Sequence, residues 1–125
     1  MKSLEIFLEG ISNSAKKIIY RGVDQCYNME KLERLASFFD ALRSPTRLKI
    51  LQVVAETDRP LHIEAVAKML GINYAAIYRH IQALRQQGLL KVYEVGRSRV
   101  LALTRPQLLR QLLELADKFL SEAQG

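Results

Sequence analysis

Residues 66–90, VAKMLGINYAAIYRHIQALRQQGLL, contain two short amphipathic stretches separated by a glycine and an asparagine. Gly71 directly follows the last apolar residue of the first stretch, a position where glycine commonly ends a helix. Asn73 stands where its side-chain oxygen can cap the next helix, which a later glycine ends. The pattern predicts a helix over 63–70, a tight turn, and a helix over 74–87. This is the arrangement of a helix-turn-helix motif.

The second of these helices has one apolar face and one outward face. At about 100° per residue, Ile77, Ile81 and Leu84 lie on the inward side. Arginine can pair with guanine, glutamine can pair with adenine, and a small residue can touch the thymine methyl group. A solvated helix face without any partner would show the same pattern. The candidate base or phosphate readers on or beside the outward face, together with the capping asparagine, are Asn73, Tyr74, Ala75, Tyr78, Arg79 and Gln82.

The hydrophobic period changes after this helix. Leu90–Val95 and Arg99–Leu103 are two β-prone runs around Gly96-Arg97-Ser98, which predicts a hairpin. An arginine at the hairpin tip can enter a narrow minor groove. Charge on an edge strand also protects it from aggregation, and both roles can hold at once. The phosphate candidates in this basic hairpin are Lys91, Arg97, Ser98 and Arg99.

Helices are predicted on both sides of this central unit. Residues 30–42 form an amphipathic pattern, and Ser44 followed by Pro45 is a good start for another helix. Arg47, in the first turn of that helix, can reach a phosphate or pair with Asp40, and the sequence favours neither. Residues 105–125 form a last helix whose apolar face is wider than one stripe requires.

The first part of the chain carries a heptad-like apolar seam. Its spacing predicts helix, but Gly10 and the cluster Ser12-Asn13-Ser14 interrupt it, so one helix or two over residues 3–25 are both open. Wide apolar faces at both ends of the chain predict association with a second copy. Ends that fold back onto their own domain are the alternative. The residues assigned to dimerisation are Leu4, Leu8, Ile11, Ile18, Leu109, Leu112, Leu113 and Phe119.

Charge is concentrated in the middle of the 125-residue chain, whose length suits one domain. The net charge is +6, and residues 43–105 carry eleven basic and four acidic side chains. The flanks are close to neutral, so the centre is expected to meet a polyanion and the ends to serve another purpose. Apolar residues make up 49% of the chain, yet no apolar run reaches the ~18–20 residues of a membrane span, so no membrane partner is expected.

The residues that carry metal or redox chemistry are few and scattered. Cys26 has no second cysteine to pair with, which predicts an intracellular, cytoplasmic protein and leaves the thiol's role open. His62 precedes a helix as a possible N-cap, and His80 is expected to lie half-buried at a helix junction. These three positions lack metal-ligand spacing, and no Gly-rich phosphate loop or nucleophile–base cluster is present. We therefore expect neither metal nor cofactor, and no enzyme; a small-molecule or redox effector stays open.

Three stretches together resemble the ArsR-type winged helix-turn-helix transcriptional regulators. They are ALRSPTRLKILQVV, the 66–90 stretch, and VYEVGRSRVLALT, and the resemblance covers roughly residues 36–104. It implies a homodimer that binds a short inverted repeat in double-stranded DNA, usually as a repressor. It also implies a recognition helix at 74–87 and a wing at 91–103. Metal-sensing members carry a cysteine pair in the helix corresponding to 63–70, or carboxylate and histidine ligands on the last helix, and this chain has neither the cysteines nor that histidine.

The expected architecture is mainly α with a small β-hairpin: a winged helix-turn-helix with flanking N- and C-terminal helices. Residues 1–29 are interpreted as a dimerising extension, 30–104 as the DNA-binding domain, and 105–125 as a dimerisation helix. The leading hypothesis is a dimeric, nucleoid-associated transcriptional regulator. One alternative is an architectural protein with little sequence preference for DNA. Another is a winged-helix protein-interaction module.

Overall fold

The computed structural model describes residues 28–124. The predicted seam residues and Cys26 lie outside this range, so the number of helices over residues 3–25 stays open. The expectation of a mainly α chain with a small hairpin and a winged helix-turn-helix is confirmed. In chain order, the described elements are α1 (Met29–Leu42), α2 (Pro45–Ala55), β1 (Leu61–His62), α3 (Ile63–Leu70), α4 (Tyr74–Gln86), β2 (Leu90–Val95), β3 (Ser98–Leu103) and α5 (Pro106–Gln124).

The chain divides into two compact units, with the division between Phe38 and Phe39. Helix α1 spans this point, and its last residues belong to the second unit. That second unit contains all of the elements from α2 to α5. The predicted division into segments 1–29, 30–104 and 105–125 stays a prediction.

The helix boundaries in the second unit follow from local capping. The Ser44 hydroxyl accepts a hydrogen bond from the Arg47 backbone N–H at 3.4 Å, and Pro45 opens α2. Gly71 ends α3 in the left-handed conformation, with φ of 66°, which a residue without a Cβ adopts without strain. The Asn73 side-chain oxygen accepts from the Ala76 N–H at 2.8 Å and starts α4. The predicted helix-turn-helix is therefore present, with α4 ending at Gln86.

A three-stranded antiparallel sheet follows the order β1-β3-β2. The hairpin turn is shorter than predicted: Ser98 already belongs to β3, which leaves Gly96 and Arg97 between the strands. Strand β1 was not predicted, because two residues are too few to show a periodicity. His62 lies in β1 and occupies the N-cap position of α3, but its side chain makes no capping hydrogen bond, so its predicted capping role is wrong.

The hydrophobic core of the second unit lies between the helices and the sheet. Ile77, Ile81 and Leu84 on the inner face of α4 are fully buried, as the helical spacing predicted. No polar or charged side chain is buried in the part of the chain that the structure describes. The burial fixes the rotation of α4 about its axis, and so determines which side chains point outward. The other fully buried large side chains are Ile50, Leu51, Ile63, Val66, Leu90 and Leu101.

Helix α5 has a broad apolar face that its own unit covers in part. Leu109 is only 7% exposed and lines a groove with Leu51 of α2. Leu112 and Leu113 are half-buried, whereas Phe119 is 78% exposed. The Leu109 side chain is already mostly covered within its own chain, and its assignment to a dimer interface stays a prediction. In the described range, no helix combines the length and apolarity needed to cross a membrane.

Candidate nucleic-acid interface

The outward face of α4 presents the side chains that the helical spacing placed there. Tyr74, Ala75 and Arg79 are exposed, while Tyr78 and Gln82 are half-buried. The first two turns of the helix are thus the most open part of this face. A helix rigidly held by a buried inner face, with small and polar residues on its open N-terminal half, has the form required to enter a major groove.

Asn73 has a structural role at the start of this helix. Its side-chain oxygen is committed to the Ala76 N–H, and it satisfies one of the backbone donors that the first turn of a helix leaves unpaired. The sequence proposed Asn73 both as a cap and as a DNA contact. The geometry gives it the first role, and the second stays a prediction.

The wing is joined to the end of α4 by a polar anchor. The Thr104 hydroxyl donates to the Gly88 carbonyl and lies 3.3 Å from the Leu89 carbonyl oxygen. The Thr104 N–H also donates to the Leu89 carbonyl, at 3.3 Å. These contacts tie the base of the hairpin to the segment that follows the helix. The hairpin is therefore anchored at its base, while Lys91, Arg97 and Arg99 along it are exposed.

Aromatic rings connect α4 to the wing. The rings of Tyr74 and Tyr78 are stacked, with centroids 6.1 Å apart and an interplanar angle of 13°. The Arg99 guanidinium carbon lies 5.0 Å from the centroid of the Tyr78 ring. Three of the predicted DNA-contacting residues therefore form one row of contacts. Tyr74 stacks on Tyr78, and the Arg99 guanidinium lies over the Tyr78 ring.

A polar cleft opens between the wing and the helix-turn-helix. The predicted residues Tyr74, Arg97, Ser98 and Arg99 line it together with two that were not predicted as site residues, His62 and Glu64. Strand β1 brings His62 to this place by pairing with β3, where its Cα partner is Val100. Since that pairing joins distant parts of the chain, no local signal in the sequence could have revealed it.

Arg47 does not pair with Asp40, one of the two partners proposed from the sequence. Its Nε donates to His80 Nδ1 at 3.3 Å, and its NH1 donates to the Ala41 carbonyl at 3.4 Å. Asp40 instead pairs with Arg43 at 2.8 Å. The Arg47–Asp40 pair is therefore wrong, and the half-buried guanidinium links α1, α2 and the recognition helix. A phosphate contact by Arg47 stays a prediction.

His80 lies at the helix junction where the sequence placed it, half-buried on α4. Desolvation by burial lowers the pKa of its imidazole, and the positive charges of Arg47 and Arg79 lower it further. A neutral ring is what the contact requires, because Nδ1 must carry a lone pair to accept from Arg47 Nε. The hydrogen bond and the lowered pKa thus favour the same protonation state.

Metal-ligating side chains do not cluster in the described range: no group of three or more His, Cys, Asp or Glu residues there is placed to hold a metal ion. The exposed charge around α4 and the wing is instead basic. A helix-turn-helix whose second helix presents such a face, followed by a basic hairpin, defines a winged helix-turn-helix DNA-binding protein.

Comparison with known proteins shows a similarity to one family over the helix-turn-helix. Residues 44–92 match the family model described as "Bacterial regulatory protein, arsR family". Over these residues the chain is similar to the regulatory proteins of that family, and its fold is that of a winged helix-turn-helix. The matched range runs from the cap of α2 into β2, and so contains the complete helix-turn-helix.

Individual proteins of known description are also similar to this chain. The chain is 27% identical over 90 residues to a transcriptional repressor SmtB homolog from Synechocystis, which covers 72% of this chain and 67% of the relative. An ArsR-like transcriptional regulator from Rhodococcus is 25% identical, with a TM-score of 0.58 and coverage of 78% of this chain and 87% of that one.

One similar solved structure is a homodimer. It is the winged helix-turn-helix DNA-binding domain of a possible ArsR-family transcriptional regulator from Mycobacterium bovis. The TM-score is 0.63 at 22% identity, and the match covers 91% of this chain and 94% of that one. At this identity the likeness shows the fold alone.

Proposed function

We propose that this protein is a dimeric repressor that binds an inverted-repeat operator, with α4 in the major groove and the wing against the flanking backbone. One observation carries the proposal: the first turns of α4 are open on the side opposite a fully buried face. Tyr74, Ala75 and Arg79 are exposed there, and Ile77 between them is completely covered. Such a helix can be inserted into a groove without exposing the core.

Arg79 is the leading base reader. Its guanidinium is exposed, and bidentate pairing of arginine with the O6 and N7 atoms of guanine is the commonest specific contact in the major groove. Ala75, one turn earlier, permits close approach of the helix or touches a thymine methyl group. Gln82, one turn later and half-buried, is the candidate for adenine.

The wing supplies affinity through the DNA backbone and the minor groove. Lys91 and Arg97 are exposed, and Arg97 occupies the two-residue turn at the tip. From the tip, its side chain can enter a narrow minor groove, where the negative potential is enhanced. Ser98 is the neighbouring hydrogen-bond donor for a phosphate oxygen.

Helix α5 is the proposed dimer surface within the described residues. Phe119 and Leu120 are 78% and 64% exposed, and Leu115 is 56% exposed. An apolar surface of this kind usually meets a partner. The homodimeric Mycobacterium bovis structure supports a two-fold arrangement, and the Synechocystis relative, which is a repressor, supports repression. Two recognition helices related by a two-fold axis would read a palindromic site in the cytoplasmic nucleoid.

Selection of genomic fragments by the purified protein, followed by footprinting, tests the operator hypothesis. We expect a short inverted repeat to be protected. On that site, Arg79→Ala is expected to cost about 1–3 kcal/mol in binding and to relax preference at one base pair. Arg97→Ala should weaken binding without relaxing the preference at a single base pair, and should reduce the slope of log affinity against log salt by about one.

Arg110→Ala is the matched control, because it removes the same exposed charge from α5. It should leave the affinity of the protein for a single half-site unchanged. Equal affinity for all DNA sequences would favour the architectural alternative. Wild-type binding by both the Arg79 and the Arg97 variants would favour the protein-interaction module.

A further inference from the structure

Arg99 differs from the other basic residues of the wing in where its charge lies. The side chain is exposed, yet its guanidinium is positioned over the ring of Tyr78 on α4, 5.0 Å from the ring centroid. A guanidinium at this distance is attracted by the negative face of the ring. The contact connects the middle of the hairpin to the recognition helix directly.

Strand geometry explains why Arg99 reaches α4. Alternate residues of a strand point to the same side, so Arg99 shares a face with the fully buried Leu101. Across the hairpin, Val92 is the Cα partner of Leu101, and Glu94 is the Cα partner of Arg99 on that same face. Arg99 is therefore the first residue of the inward face beyond the edge of the core, where a long side chain extends over the neighbouring helix.

Glu94 offers Arg99 an alternative partner that it does not take. The two residues are Cα partners across the hairpin, and both lie in the described part of the chain. No ion pair joins them within 4 Å; the described ion pair is that of Arg43 with Asp40. The guanidinium lies on Tyr78 instead, and Tyr78 is itself stacked on Tyr74 at the start of α4.

We infer that Arg99 is a positioning residue: it holds the wing against the recognition helix through the Tyr78 ring, and so sets the spacing between the two DNA-reading elements. It does not serve as a separate phosphate contact, as the sequence suggested. The inference rests on the proposed function, in which α4 and the wing read adjacent parts of one site. A consequence is that loss of Arg99 widens the range of tolerated operators, because the wing is no longer held in register with the helix.

The contact can be tested in the free protein by NMR. Protons that lie over an aromatic ring face are shifted upfield, so the Arg99 side-chain resonances should be shifted upfield in the wild type. The shift should persist in Tyr78→Phe, which keeps the ring, and disappear in Tyr78→Leu. Arg97, at the hairpin tip, is the internal reference, and its side-chain resonances should have the same chemical shifts in all three proteins. Unshifted Arg99 resonances in the wild type would overturn the inference without bearing on DNA binding.

A double-mutant cycle on DNA tests the functional consequence. The loss of DNA affinity in the double variant Arg99→Gln, Tyr78→Leu should be about two- to fivefold smaller than the product of the two single losses. That factor is the range of a cation–π contact at an exposed site. The salt slope of Arg99→Gln should match that of wild type, whereas Arg97→Gln should lower it by about one. A further measurement uses operators in which the spacing between the wing contact and the helix contact is altered. The ratio of affinity for such an operator to affinity for the native site should be higher in Arg99→Gln than in wild type.

The opposite results identify a direct contact. Additive losses, together with a salt slope lowered by about one in Arg99→Gln, would place Arg99 on a phosphate and overturn the inference. If wild type shows no operator preference while the NMR shift is present, the proposed function fails and the wing–helix contact stands. The two failures are therefore distinguishable.

Discussion

At the scale of single residues, the side chains around the recognition helix are held by one another. Arg47 donates to the imidazole of His80 at 3.3 Å and to the Ala41 carbonyl at 3.4 Å, so one guanidinium connects three helices. The arrangement requires a neutral histidine beside two arginines. Its stability should therefore depend on pH.

Stability should fall with acidification because of His80. Burial and the charges of Arg47 and Arg79 lower the pKa of His80 from its ordinary 6.5, so as pH falls the unfolded chain takes up a proton before the folded chain does. The contribution of the neutral ring is then present above the unfolded pKa and lost as pH falls through the lowered folded pKa. Urea unfolding across this window should show a shallower pH dependence for His80→Gln, whose side-chain oxygen accepts from Arg47 at any pH.

His62→Gln is the matched control for that measurement. It removes the other histidine that the structure describes, an exposed one, and should leave the wild-type pH dependence of the unfolding free energy in place. If His80→Gln and wild type lose stability in parallel as pH falls, protonation of His80 is not what lowers the free energy of unfolding.

At the scale of elements, short polar signals set the boundaries that place the recognition helix. Gly71 closes α3 with φ of 66°, and its N–H donates to the Lys68 carbonyl at 3.3 Å. Asn73 opens α4 two residues later through its bond to Ala76. The angle between the two helices therefore depends on a three-residue connection in which Gly71 alone has a positive φ.

Gly71→Ala should destabilise the fold through backbone conformation. A Cβ at this position would meet nothing within 4 Å, so crowding contributes no cost. The left-handed conformation should cost about 1–2 kcal/mol for alanine, measured as a loss in the free energy of unfolding.

Gly71→Asn separates conformation from packing at this position. Asparagine tolerates the left-handed region better than alanine, so the free energy of unfolding should fall clearly less in Gly71→Asn than in Gly71→Ala. Equal losses in the two variants would show that the positive φ is not what requires glycine.

At the scale of the whole molecule, the chain separates a DNA-facing charge from an apolar surface. The excess positive charge lies in residues 43–105, which contain the helix-turn-helix and the wing. The large exposed apolar side chains of α5 are Leu108, Leu115, Phe119 and Leu120. The first surface suits a polyanion, and the second suits a copy of the same chain.

Phe119→Lys should shift the protein from dimer to monomer. The side chain is 78% exposed in the single chain, so its replacement leaves the monomer core intact, and a charge in an apolar interface opposes association. Sedimentation equilibrium should show a weakened dimer, and affinity for an inverted repeat should fall more than affinity for a half-site. Gln111→Lys adds the same charge at another exposed position of α5. If the Phe119 variant stays as dimeric as this control, that residue lies outside the interface.

Leu109→Ala should act on folding rather than on association. The side chain is 7% exposed, and truncating a buried leucine typically costs about 2–5 kcal/mol. Chemical unfolding should therefore report the loss at any protein concentration. A loss of stability that depends on protein concentration would instead place Leu109 in the dimer interface.

Much of the fold followed from local patterns. The spacing of Ile77, Ile81 and Leu84 predicted the buried face of α4, and all three side chains are fully buried. The outward face was predicted in the same way, since a helix that buries one side exposes the other. What the pattern could not predict was the two-residue strand β1, which exists because it pairs with β3.

The amino-acid pattern predicted the order of the described helices and of the hairpin, the turn at Gly71, and the rotation of α4, because helix spacing and capping act over a few neighbouring residues. Which polar groups meet depends on tertiary packing, which no local pattern describes. Arg47 contacts His80, 33 residues away, rather than the nearby Asp40. The Arg99 guanidinium lies over the Tyr78 ring and forms no ion pair with Glu94, its Cα partner across the hairpin. Long charged side chains can reach several partners, and packing of the helices against the sheet brings one of them within contact distance.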